Sequence, residues 1–314
     1  MQLEDAVRVR QEIASFLRME TVRRRKRWMR VAIGISTSPS ATGMKIAVRA
    51  RSKKDLDRAF GNGAGEKIRE MASAELEIEI TGQIVAGPPL DTVPPNRNLR
   101  IGASVGHTNI TAGTLGFFAR RISDGTLGFV SNNHVLAECD HGEEGDLILH
   151  PGRYDGGVAP KDVVATLAGT YPKLQDDRPV VDAAFAVLRK NIDYDALTIT
   201  PTVRLNPSLI PPLYRQTTVL KTGRSTGTTY GRITAFHLQN LDIDYPALGT
   251  VFLDRQIEVR TKDGGQFSSG GDSGSLVVTP DGHPIGLLFS GAGNFSYMNP
   301  IEEVLHDLRV TFVA

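Results

Sequence analysis

Apolar residues recur along this chain with two different periods, and the change between them divides it. Between residues 2 and 30, Val9, Ile13, Phe16 and Leu17 fall at helical spacing and predict a helix with one partly apolar face. Residues 31–86 carry shorter runs. Strands are predicted over 31–36, 45–51 and 76–85, the last with Leu76, Ile78 and Ile80 alternating with polar positions, and a helix over 65–72. Gly87-Pro88-Pro89 and Val93-Pro94-Pro95 then predict a stiff linker, because proline pairs favour extended backbone. From about residue 99 short strands alternate with Gly, Asn and Asp turns, as two antiparallel barrels require. The expected organisation is a basic N-terminal helix (1–30), a small α+β domain with its proline-rich linker (31–96), and an all-β double antiparallel barrel (97–314).

Composition narrows the class. The 314 residues are 40% hydrophobic and 23% charged, with a net charge of +1 and 32 glycines, as expected of a turn-rich globular chain of about two domains. The run Arg23-Arg24-Arg25-Lys26-Arg27-Trp28 has the composition of a nucleic-acid or acidic-lipid contact. Balanced charge elsewhere favours a solvated helix face or a segment that docks on a partner or a second copy, so nucleic acid is not expected. No stretch of about 18 apolar residues occurs, so no membrane span is expected. Residues 1–30 lack the apolar core and small-residue cleavage site of a secretory signal, which makes the cytoplasm the expected location. A single cysteine, Cys139, leaves no intrachain disulfide and fits a reducing compartment; it reads as a small packing residue. No Cys or His cluster has metal-ligand spacing and no phosphate-binding glycine motif occurs, so no metal or cofactor is expected.

Three separated runs carry candidate chemistry. Gly270-Gly271-Asp272-Ser273-Gly274-Ser275 precedes the apolar Leu276-Val277-Val278 and places a serine on a tight loop whose backbone amides can point at one spot. Acyl transfer needs this: a nucleophilic hydroxyl, with N–H groups to take the charge that develops on the attacked carbonyl. Gly128-Phe129-Val130-Ser131-Asn132-Asn133-His134 is an apolar strand that ends in a polar turn and delivers a histidine. Pro179-Val180-Val181-Asp182-Ala183-Ala184-Phe185 holds one carboxylate in an apolar run, costly to bury without a partner such as an imidazole N–H. The chain order is His, Asp, Ser, and the 48 residues from 134 to 182 and 91 from 182 to 273 compare with about 45 and about 93 in the chymotrypsin-type template. His107, His141 and His150 follow no comparable strand and turn, and Asp176, Asp177, Asp193 and Asp195 stand in polar surroundings.

These runs resemble those of trypsin-like serine proteases with the chymotrypsin fold, over about residues 100–308. Ile101-Gly102, Leu115-Gly116-Phe117-Phe118, the hairpin Val219-Leu220-Lys221-Thr222-Gly223-Arg224-Ser225-Thr226-Gly227, and Pro284-Ile285-Gly286 resemble streptogrisin and α-lytic-type bacterial enzymes. The Gly-Arg-Ser hairpin and Gly-Asp-Ser-Gly-Ser run are nearer to intracellular narrow-leaf-type trypsin-like proteases. The resemblance implies an endopeptidase acting on protein or peptide substrates. Ser273 is the implied nucleophile, His134 the base, Asp182 the group that orients it, and Gly271 and Ser273 the oxyanion-hole donors. It also implies that Asp272 pairs either with a new N-terminus or with an internal group. Phe267 would form the floor of the specificity pocket and Phe289, Ser290 and Gly291 its wall; either Phe289 replaces a usual serine or Ser290 is that serine shifted by one. With no carboxylate at the floor, a small or medium apolar residue before the cut bond is expected. Residues 1–100 stand where related enzymes carry a removable pro-region, with Arg100-Ile101 as the corresponding junction; the expectation here is that they are retained for regulation or partner docking. A catalytically silent binding module and an esterase are the alternatives.

Overall fold

The computed structural model describes residues 1–23, 30–37, 43–61, 63–73, 75–87, 99–213, 217–261 and 264–313. The basic run beyond residue 23 and the proline-rich stretch 88–98 lie outside the described residues.

Six strands close on themselves. Thr218–Gly223, Leu276–Val278, Pro284–Ala292, Phe295–Pro300, Gln256–Arg260 and Gly227–Gln239 pair antiparallel in that order, and the last returns to pair with the first. A second, curled antiparallel sheet runs Val310–Phe312, Phe117–Arg121, Leu127–Ser131, Ala184–Leu188, Val163–Leu167, Leu147–Leu149, Ser104–His107 and Gly113–Thr114. Its apolar interior, built on Phe117, Phe118, Phe129 and Val130, is continuous with Leu220, Leu276, Val278 and Leu287 of the closed barrel. The result is the chymotrypsin-like double-barrel architecture, with the helix Ile301–Leu308 near its end.

The first hundred residues extend one of these sheets. Val31–Ser36 pairs antiparallel with Gly227–Gln239 on one side and with Lys45–Ala50 on the other, and Leu76–Ile80 lies parallel to Lys45–Ala50. The helix Leu3–Arg23 buries Val9, Ile13 and Leu17 against Val31, Ile33, Ile46 and Val48, with Ile68 of the helix Ala64–Met71 in the same cluster. A further helix, Lys53–Phe60, was not expected from its largely polar sequence; Ser52 caps it, its hydroxyl accepting from the Asp55 N–H at 3.2 Å. Across the junction the buried Arg49 Nε donates to Glu258 Oε2 at 2.7 Å and its Nη2 to Glu258 Oε1 at 3.0 Å. The same Nη2 also donates to Glu77 Oε1 at 2.8 Å. A planar guanidinium held by two oxygens of one carboxylate tolerates little displacement, so this pair fixes how the N-terminal strands sit on the barrel.

The alternation at 76–80 identifies a strand and misleads about its covered face. Leu76–Ile80 is the outermost strand, so Ile78 and Ile80 are 39% and 44% exposed. Of the intervening glutamates, Glu77 turns inward to Arg49 and Ser36, while the partly exposed Glu79 reaches Arg260.

Candidate active site

Histidine and aspartate arrive from neighbouring strands. Leu127–Ser131 ends at Asn132, and the one-turn helix Asn133–Leu136 presents His134. Ala184 lies opposite Ser131 in the adjacent strand, a register that brings Asp182, two residues earlier, to the start of that helix. The Asp182 backbone is held on both sides: Asn132 Nδ2 donates to its carbonyl at 2.6 Å, and its N–H donates to Asn299 Oδ1 at 3.1 Å. Its carboxylate is fully buried. Oδ1 accepts the His134 backbone N–H at 3.2 Å, while Oδ2 accepts His134 Nδ1 at 2.6 Å and the Tyr245 hydroxyl at 2.8 Å. A carboxylate only accepts, so Nδ1 carries the proton, and in the neutral ring Nε2 carries the lone pair.

The serine loop is shaped by glycine and clamped by a threonine. Gly271 and Gly274 have φ of +92° and +94°, a region open to glycine at no steric cost. A β-carbon at Gly274 would also lie 2.1 Å from both Ser131 Oγ and the Thr114 carbonyl. Thr114, from the other sheet, donates its hydroxyl to the Gly271 carbonyl and its N–H to the Ser273 carbonyl, each at 2.8 Å. Among the described residues the N–H groups of Gly271 and Ser273 have no protein acceptor. Two unspent donors beside a serine suit a developing oxyanion.

Asp272, between them, points into the barrel. It accepts the N–H groups of Ser225, Thr226 and Ser269 at 2.8, 3.1 and 3.0 Å, the Thr226 hydroxyl at 2.7 Å, and Lys221 Nζ at 3.2 Å. Of the two partners left open by the sequence, the structure supplies an internal one. Lys221 is fully buried and also donates to Thr226 Oγ1 and to the Gly227 carbonyl. Burial pulls its ammonium below the ordinary value, and the charge of Asp272 opposes that shift.

Ser273 and His134 are not hydrogen-bonded to each other. Ser273 Oγ donates to the Phe289 carbonyl at 3.2 Å, and His134 Nε2 is buried with no partner among the described residues. A small cleft of about 160 Å³ lies at Ser273, lined by Ser268, Ser269, Gly270, Ser290 and Gly291. From the N-terminal region Val85 and Gly87 line it too, and Val85 stands opposite Gly291 in antiparallel register. Phe267 and Phe289 do not line it: Phe267 packs in the barrel core against Gly231, and Phe289 is buried with Tyr245 and Tyr297. Their neighbours Ser268, Ser269 and Ser290 line it instead. Cys139 is buried, and burial pushes its thiol up to about 12, so it stays protonated. Among the described residues no group of three or more His, Cys, Asp or Glu is placed to hold a metal ion, and no helix is long and apolar enough to cross a membrane.

Tyr245, Lys221 and Thr114 are the site residues that sequence reasoning missed. Tyr245 and Lys221 sit within strands and Thr114 in a two-residue strand, and no local signal marks their partners.

No family model matches the chain, and no curated protein matches it. Among solved structures it is similar to Thermobifida fusca Protease A, at 19% identity and a TM-score of 0.48, over 69% of this chain and 99% of that one. Nocardiopsis Protease is similar at 18% identity and a TM-score of 0.49, over 69% of this chain and 100% of that one. Cellulomonas bogoriensis chymotrypsin is similar at 19% identity and a TM-score of 0.46, over 69% and 98%.

Proposed function

We propose that this protein is a serine endopeptidase of the trypsin-like kind, nearest in its motifs to the intracellular narrow-leaf type. The observation that carries the reading is the buried Asp182 carboxylate bonded to His134 Nδ1 at 2.6 Å, with a serine on a glycine-shaped loop where the Gly271 and Ser273 N–H groups are unspent among the described residues. In the reaction Ser273 turns from the Phe289 carbonyl, gives its proton to His134 Nε2 and attacks the peptide carbonyl carbon. The oxyanion accepts from the Gly271 and Ser273 N–H groups, and Asp182 stabilises the imidazolium. His134 then protonates the leaving amine, and water repeats the sequence on the acyl-enzyme. The lone thiol, Cys139, favours a reducing, cytoplasmic setting for this chemistry.

One observation favours the silent-module reading: the unmade bond between Ser273 and His134. A fluorophosphonate probe separates the two, since labelling of wild type and not of Ser273→Ala requires a live nucleophile. A peptide library then separates peptidase from esterase. The uncharged cleft predicts that Ala, Val, Leu or Met before the cut bond is preferred over Arg, Lys, Asp or Glu, because a buried charge there would lack a partner. A tenfold preference for Arg would overturn the pocket assignment.

The N-terminal region is retained and regulates access on this reading. Residues 83–87 cross the cleft beside Gly291, with Ile84 and Ala86 buried as anchors. They lie along the edge that an extended peptide would pair with. A site open for only a fraction of the time loses affinity by that fraction. Ile84→Ala, which loosens the anchor, is therefore expected to raise kcat/KM for an extended peptide by about tenfold. An unchanged or lower value would make the segment a fixed wall of the cleft.

A further inference from the structure

We propose that Tyr245 is a positioning residue for the Asp182 and His134 pair, supplied by a hairpin that carries neither the nucleophile nor the base. The proposal rests on the protease reading above. Tyr245 closes the strand Leu241–Tyr245, which pairs antiparallel with Gly249–Leu253. Its side chain is 1% exposed. The hydroxyl donates to Asp182 Oδ2 at 2.8 Å, the same oxygen that accepts His134 Nδ1, and the phenol ring meets the imidazole edge-on with centroids 5.8 Å apart. One contact sets the carboxylate and the other sets the ring.

The chemistry of that shared oxygen gives Tyr245 a direction of effect. Oδ2 is buried, and a lone pair left without a donor there would be costly. A phenol donor also draws charge from Oδ2, so the carboxylate holds the imidazolium less tightly than it would with His134 as its only side-chain partner. Burial, and then the charge of Asp182, push the phenol well above its ordinary value, so it remains a donor at any working pH. The strand is itself held from the N-terminal region. The Asp244 N–H donates to the Ile84 carbonyl at 2.9 Å, the Ala86 N–H to the Asp244 carbonyl at 3.2 Å, and Arg51 pairs with Asp244 Oδ2 at 2.7 Å. Other titratable groups near the pair are Cys139 and Asp140, with Glu138 beside Cys139. Asp140 is occupied by Asn133 Nδ2 and by the N–H groups of Leu174 and Gln175. Asp182 and His134 are thus the groups through which Tyr245 acts.

The test is Tyr245→Phe in the full chain. Loss of the hydroxyl should lower kcat by about 10- to 100-fold with KM changed less than about twofold. It should also move the acid limb of the kcat/KM profile to higher pH, because a carboxylate with one donor fewer holds the imidazolium more tightly. The proton NMR signal of His134 Nδ1–H should move downfield for the same reason. This last reading needs no turnover, so the two proposals fail separately: a wild type that neither cuts peptides nor takes a fluorophosphonate label overturns the protease reading, while the resonance still reports on Tyr245. An unmoved acid limb and an unmoved resonance overturn the proposal, including the case in which kcat falls without them. If Tyr245→Phe does not fold, 3-fluorotyrosine at position 245 keeps the shape and makes the phenol a stronger donor. The limb and the resonance should then move in the opposite directions, and no movement overturns the proposal.

Discussion

Turnover of a peptide substrate should fall by about four to six orders of magnitude when Ser273 or His134 is replaced by alanine, with the fold intact. The structure explains why the fold survives each change. The Ser273 side chain makes one bond, to the Phe289 carbonyl, so Ser273→Ala removes a hydroxyl and strands no buried donor. In His134→Ala the Asp182 carboxylate keeps the backbone N–H of residue 134 and the Tyr245 hydroxyl, both independent of the imidazole. The double variant should be no slower than the worse single one, because the two residues act as a unit. Initial rates and thermal melts on the same samples check this. Retention of more than a tenth of activity in either single variant would remove these residues from the mechanism.

The second large effect belongs to Lys221, whose buried ammonium pairs with Asp272. Lys221→Met should destabilise the protein by about 3–5 kcal/mol, the range for breaking a buried ion pair from one side. The lower end is expected, because Asp272 keeps four other donors from Ser225, Thr226 and Ser269. Activity should fall as well, by about 10- to 1,000-fold, since Asp272 sits between Gly271 and Ser273, whose N–H groups are the proposed oxyanion donors. Adding Asp272→Asn should recover part of the stability by removing the stranded charge, a coupling that a double-mutant cycle measures. A melting temperature for Lys221→Met equal to that of wild type would mean that Asp272 is held without the lysine.

What the sequence disclosed and what it withheld differ in range. His134, Asp182 and Ser273 stand out in the sequence because each sits where a local pattern breaks: a strand ending in a polar turn, a charge inside an apolar run, a serine between glycines. The all-β character from about residue 99 was legible from short apolar runs set between Gly, Asn and Asp turns, a local signal as well. Tyr245 and Asp182 are 63 positions apart, Lys221 and Asp272 are 51, and Arg49 and Glu258 are 209. Such pairs depend on the path of the chain through both sheets, and a tyrosine or lysine in an alternating strand looks the same with or without its partner. The misplaced pocket residues have a similar origin. Phe267 and Phe289 lie in the expected segments, but their side chains are buried in the core rather than lining the cleft, a direction that the sequence pattern does not show. Ile78 and Ile80 illustrate the remaining case, in which alternation defines a strand but only its place in the sheet decides whether the apolar side is covered.

The continuity of the sheet from Gly227–Gln239 into Val31–Ser36, reinforced by Arg49 and Glu258, bears on proteolytic maturation. A cut between residues 87 and 99 breaks one covalent connection, but the hydrogen-bonded ladder and the buried ion pair lie elsewhere and are untouched. Such a cut leaves two polypeptides sharing one sheet, and the particle keeps its composition while its number of chains changes.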